Sequence, residues 1–234
     1  MLEVLSALDF TPFVLSFKLA GLTTLILFIL FILCLPFAWW LSQTKSKSKP
    51  IFEAITALPL VLPPSVLGFY ILVILSHNSP VGGFFDEYFG IKLVFNFSGL
   101  VIASCFYSLP FMVQPLQSGF TSINKNMLEA SYIAGKSKTQ TILRVALPNM
   151  KPAVMTAIIV SFAHTVGEFG VVLMLGGSIP GETKMASVAI YEMVEIMDYT
   201  NAHIYSAIML LISFLVLLAV YIFNQKTRAI GQLR

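Results

Sequence analysis

An all-α integral membrane protein with about five transmembrane helices is what this 234-residue sequence predicts, and three observations predict it. Hydrophobic residues make up 57% of the chain and charged residues 11%, with a mean hydropathy of +0.87. A water-soluble domain of this size carries about 25% charged residues. Four stretches hold no charge at all (Leu19 to Thr44, Ala54 to Ser76, Leu93 to Asn124, Tyr199 to Gln225), and a fifth, Pro152 to Gly181, holds only Glu168. The basic residues gather in alternate loops. Water could not hold this much apolar surface, so a soluble domain is excluded.

Taken in order, the opening run "MLEVLSALDFTPF" carries Glu3 and Asp9 where a signal peptide is basic, and no small-residue cleavage site follows, so it reads as uncleaved. A spanning helix needs about 20 apolar residues, which puts the first span at roughly 14–41 and the second at roughly 52–76. Polar ends trim the third to roughly 99–119 and the fourth to roughly 152–175, and the last covers roughly 202–224. The whole chain, 1–234, then forms one transmembrane domain. The segment "TKMASVAIYEMVEIMD" has helical periodicity but carries Glu192, Glu195 and Asp198. Too short and too acidic to cross, it is expected to lie along or dip into the outer face.

Orientation follows from charge. Lys45, Lys47, Lys49, Lys125, Lys136, Lys138, Arg144, Lys151, Lys226, Arg228 and Arg234, eleven of the fourteen basic residues, fall in the 42–50 loop, the 120–151 loop and the C-terminus. Lys18, Lys92 and Lys184 fall on the other side with eight of the eleven acids. The positive-inside rule then predicts the N-terminus outside and the C-terminus in the cytoplasm. Cys34 and Cys105 lie in apolar runs where a thiol acts as a small hydrophobe. Neither they nor His77, His164 and His203 have metal-ligand spacing, so no metal, cofactor or catalytic site is predicted.

The 120–151 loop reads as a helix, a break and a second helix. Asn126 to Ala134 favours helix, Gly135 suits a left-handed cap, and Ser137 with Gln140 makes a capping-box pattern. That pattern predicts a second helix through "TQTILRVAL", stopped by Pro148. Met127, Leu128, Tyr132 and Ile133 leave apolar side chains with no bilayer to bury them. Such a bent amphipathic pair is either a platform for a soluble partner or a solvated connector. "GKS" at Gly135–Ser137 imitates the end of a phosphate-binding loop, but the glycine that pattern requires would fall at Ala130 and no apolar strand leads in. ATP binding by this chain is not expected.

On these residues the loop resembles the coupling loop of type I ABC importer permeases: Glu129-Ala130, Gly135 six residues after the Glu, then Val145 and Leu147-Pro148. Ser131 stands where that pattern usually has a second alanine, and Val145 where it usually has isoleucine. The resemblance implies that Glu129, Ala130, Ser131, Gly135, Val145, Leu147 and Pro148 form coupling helices gripped by an ATPase subunit. "LPLVLPPSVLGFYIL" (Leu58–Leu72), "GEFG" (Gly167–Gly170) and "IPGET" (Ile179–Thr183) are similar to the molybdate permease branch. That branch implies import of molybdate, or of tungstate, across a bacterial cytoplasmic membrane by alternating access. The partners implied are a second copy of the chain, two ATP-binding cassette subunits, an extracytoplasmic oxyanion-binding protein and membrane lipid; no nucleic acid is called for.

Two groups of residues are candidates for the pathway or gate. Pro59, Pro63 and Pro64 fall within one span, where each removes a backbone donor; the result is a plain kink or a bend that lines a gate. His164 and Glu168 are four apart and are expected to share a helix face, as a structural pair, in a helix–helix hydrogen bond, or lining the path; a metal or catalytic site there lacks a third ligand or nucleophile. The spans hold no cluster of Lys and Arg, so any anion site here is weak and selectivity belongs to a binding protein. Rival readings are a permease of the same architecture for sulfate, phosphate or an amino acid, and an ion-coupled secondary transporter or channel. The latter calls for internal repeats and more buried carboxylates than Glu168. A membrane-embedded hydrolase lacks a paired nucleophile and base.

Overall fold

The computed structural model describes residues 8–232. The start of the opening run (residues 1–7) and Arg234 lie outside the described residues. The described chain is helical: α1 Thr11–Gln43, α2 Lys49–Val61, α3 Pro64–Leu75, α4 Pro80–Phe89, α5 Phe97–Thr121, α6 Lys125–Ile133, α7 Lys138–Thr141, α8 Leu147–Asn149, α9 Lys151–Val166, α10 Gly170–Gly176, α11 Ala186–Glu195 and α12 Tyr199–Gln232. A π-helical turn, Ile142–Ala146, joins α7 to α8. Three helices, α1, α5 and α12, are long and apolar enough to cross a membrane, and there are up to five crossings if each of two bent pairs counts as one.

The second span is not the continuous helix the sequence suggested. It is α2 and α3, bent by 108°. The cause is two consecutive prolines: a residue before proline is pushed out of the helical region, so Leu62 (ψ 136°) and Pro63 (ψ 134°) both become extended. Pro64 then starts α3 at a position where its missing N–H costs nothing. Pro59 stays inside α2 and makes no break of its own. The fourth span is likewise interrupted: α9 ends at Val166, and Gly167, Glu168 and Phe169 of "GEFG" separate it from α10, which starts at Gly170.

Around this frame α1, α5 and α9 form the centre. One cluster of buried residues, including Leu19, Leu100, Val171, Leu175 and Val188, fills the half near the start of α1. A second, including Phe31, Met112, Phe120, Ile142 and Met150, fills the half near its end and reaches into the 120–151 segment. The acidic segment is helix α11, whose ten residues span about 15 Å, too little to cross. It does dip in: Ala186, Val188 and Ala189 are buried, and the Ala186 N–H donates to Ser16 Oγ at 2.9 Å. Lys18 of α1 rests over the Phe97 ring of α5 at 4.8 Å, so the starts of these two helices share one end of the bundle. By contrast α12 turns Leu210, Leu211, Phe214 and Leu215 outward.

Candidate functional site

At the end of α5 the segment from Lys125 to Asn149 forms the bent helix pair. Asn124 opens α6 by accepting the Asn126 N–H at 2.9 Å, and Gly135 follows its end at φ +73°, the left-handed conformation its place in the sequence predicts. The capping box forms in both directions at 3.2 Å: Gln140 N–H donates to Ser137 Oγ, and Ser137 N–H donates to Gln140 Oε1. Pro148, however, does not stop this helix. In an α-helix its ring would strike the carbonyl four residues back. Here the preceding residues wind as a π turn, with Leu147 N–H bonded to Ile142 O, and the wider turn admits the proline. The helix ends instead at Met150 (φ −101°, ψ 17°), where the chain bends by 74° into α9.

This pair is tied to itself. Leu128 is buried in the same cluster as Ile142, Ala146 and Met150, so of the four apolar side chains expected to lie open only Met127, Tyr132 and Ile133 do, Ile133 at 88% exposure. Ser131 Oγ and Thr141 Oγ1 lie 2.9 Å apart, buried, and join α6 to α7 across the Gly135 turn. Glu129, Ala130, Gly135 and Pro148 are exposed, while Val145 and Leu147 are half-buried. Removing one hydroxyl strands the other at a cost of about 1–3 kcal/mol, whereas removing both is milder. Ser131→Ala and Thr141→Val should therefore each lower the thermal stability of the purified protein, and the double variant should lose less than the sum of the two. Strict additivity would show that the bond contributes nothing.

Deeper in the bundle the two span breaks meet. A Cβ on Gly170 would stand 2.7 Å from Pro64 Cβ, and one on Gly68 would stand 2.8 Å from Met174 Cβ and 3.2 Å from Val171 Cα. Only glycine lets α3 and α10 approach this closely. The structure thus brings the proline break and the "GEFG" break together, two sequence features more than a hundred residues apart.

His164 and Glu168 do not form the expected pair, because α9 ends between them and Glu168 leaves the helix face. Glu168 is 4% exposed; its backbone carbonyl accepts from Ser187 Oγ at 2.6 Å, while neither carboxyl oxygen has a hydrogen-bond partner among the described residues. Ser104 of α5 lies beside the carboxyl group. The His164 ring stacks on Phe111 with centroids 3.8 Å apart, is flanked by Tyr107, and places Nδ1 3.0 Å from Ser108 Oγ. Thr165 Oγ1 donates to Ser161 O at 3.0 Å and lies 2.8 Å from Ser108 Oγ. Each hydroxyl has one proton, so Ser108 donates to Thr165 and accepts from His164, which puts the imidazole proton on Nδ1. Sequence reasoning missed Ser104 and Ser108. Four apart in an otherwise apolar span, they share a helix face, and that spacing was the available signal. Among the described residues no three His, Cys, Asp or Glu side chains gather as a metal site.

Three helices long and apolar enough to cross, and up to five crossings with the two bent pairs, define a multi-pass membrane protein. The chain belongs to the binding-protein-dependent transport system inner membrane component family, whose model matches residues 34–229. It is 47% identical over 218 residues to the molybdenum transport system permease protein ModB of Azotobacter vinelandii, covering 93% of this chain and 95% of that one. It is 34% identical over 191 residues to the sulfate transport system permease protein CysT of Synechocystis sp., covering 82% of this chain and 66% of that one. Among solved structures it is similar to a chain of the MetNI methionine ABC transporter in inward-facing conformations, with a TM-score of 0.71 over 92% of this chain and 94% of that one. At 15% identity that likeness shows the fold. The relatives it matches are named as permease proteins of transport systems.

Proposed function

We propose that this chain is the membrane-spanning subunit of an ATP-driven importer of molybdate or tungstate. The observation that carries this reading is the 47% identity to a molybdenum permease along nearly the full length of both chains, against 34% to a sulfate permease. Sulfate remains the second reading, favoured by that relative and by the similar shape and charge of the two oxyanions.

In this account two copies of the chain enclose the path, and the basic end, which bears Lys136, Lys138 and Arg144, faces the cytoplasm. Separate ATPase subunits grip the pair α6 and α7 at Glu129, Gly135 and the open Ile133. An extracytoplasmic binding protein docks on His77–Gly99 and on residues 176–198. Nucleotide binding moves the helix pair, and the bend at Met150 passes that motion to α9 and so to the touching breaks at Pro63–Pro64 and Gly167–Gly170. Lipid faces the outward apolar side chains of α12.

The reading is tested by co-purifying the chain with its ATPase and adding binding protein. Molybdate-loaded binding protein is expected to stimulate ATP hydrolysis where sulfate-loaded protein does not; the reverse order would overturn the substrate assignment. Within the path, Glu168→Gln and His164→Ala are expected to slow uptake several-fold at equal membrane levels, since each disturbs a buried polar group. Wild-type uptake in both variants would remove the pair from the path.

A further inference from the structure

At the basic end of the bundle a cavity of about 720 Å³ opens between the last turns of α1 and the helix pair. Its wall on α1 changes character along the helix. Ile32 and Leu33 come first, then Trp39 and Trp40, then Gln43 and Thr44. Leu33 and Thr44 are eleven residues apart, about 16 Å of helix rise. Across the gap Ile142 and Leu143 supply more apolar surface, and Lys138 and Thr139 add polar groups to the lining. The aromatic pair is held in place: Trp39 meets Phe120 edge-on at 5.4 Å, and Trp40 meets Phe52 edge-on at 5.8 Å. None of the ion pairs among the described residues takes Lys138.

We propose that this cavity binds one anionic phospholipid, with its acyl chain along Ile32 and Leu33, its glycerol region at the tryptophans and its phosphate at Lys138. The order apolar, aromatic, polar and cationic matches the order of groups in such a lipid from tail to head. Tryptophan concentrates at the boundary between hydrocarbon and headgroups, and basic residues beside it draw anionic headgroups. Lys45, Lys47 and Lys136 add positive charge at the same end. A purely apolar partner helix would make no use of the charge at Lys138; a free phosphate would leave the trough empty. The ligand would touch both α1 and the π turn next to α7, and so brace the helix pair against the bundle. This deepens the transport reading but is measured apart from it.

The test uses the permease with its ATPase, purified in detergent, passed into nanodiscs of phosphatidylcholine with added phosphatidylglycerol, and analysed for lipid retained per permease by native mass spectrometry. Wild type is expected to keep phosphatidylglycerol in preference to phosphatidylcholine. Lys138→Gln should weaken that retention about fivefold, the worth of one basic residue near an anionic headgroup. Lys138→Arg should preserve it, which guards against a folding defect, and Leu33→Trp should reduce it by filling the trough. Equal retention of both lipids, or retention unchanged in Lys138→Gln, would overturn the proposal. Because lipid retention is read without substrate, a failed transport assay with intact retention would count against the transport reading alone.

Discussion

Gly135→Val is expected to reduce oxyanion uptake by about tenfold while the bundle stays folded. The glycine sits at φ +73° with nothing within 4 Å of where a Cβ would go, so crowding is not the issue. The backbone is. A left-handed residue with a Cβ costs about 1–2 kcal/mol, and 1.4 kcal/mol is about tenfold in the population of the turn. The turn sets the angle between α6 and α7, and Ser131 and Thr141 can bond only while it holds. Membrane level should change little and the melting temperature should fall no further than in Ser131→Ala, whereas uptake and stimulated ATP hydrolysis should fall together. Asparagine tolerates the left-handed region, so Gly135→Asn should recover much of the loss. Unimpaired uptake in the valine variant would show that the angle is immaterial.

Gly170→Val is expected to damage the fold as well as transport. Its first added carbon would stand 2.7 Å from Pro64 Cβ, on a ring that cannot swing aside. Overpacking of this kind costs about 1–3 kcal/mol. The strain falls where the two span breaks touch, so a lower melting temperature and lost uptake should appear in the same variant. Gly21→Ala is the control: Gly21 is exposed on α1, and an added methyl group there would meet no atom within 4 Å. Alanine favours helix, so stability should hold or rise slightly. A Gly170→Val protein that melts like wild type would mean that α3 and α10 can part without consequence.

Much of this was legible in the sequence, and the reasons differ by element. The spans α1, α5 and α12 follow from apolar length alone, and the Gly135 turn with its Ser137–Gln140 box follows from local rules that act within four residues. Pro63 and Pro64 announced a disturbance, but its size, 108°, depends on what α3 packs against and no local rule supplies that. Pro148 misled because a stop signal was read in isolation, without the π turn that absorbs it. The His164–Glu168 spacing misled for the same reason: four residues make a pair only on an unbroken helix, and "GEFG" breaks it. The contact between Pro64 and Gly170 is a tertiary fact with no trace in the spacing of either motif.

The most direct measurement is a cysteine crosslink between this chain and the ATPase that purifies with it. Ile133→Cys, 88% exposed on the helix pair, should crosslink to the ATPase, and the yield should change when nucleotide is added. Tyr88→Cys, 69% exposed on α4 at the other end, should not. Crosslinking at position 88, or none at 133, would contradict the claim that the bent helix pair is where nucleotide-driven force enters the membrane.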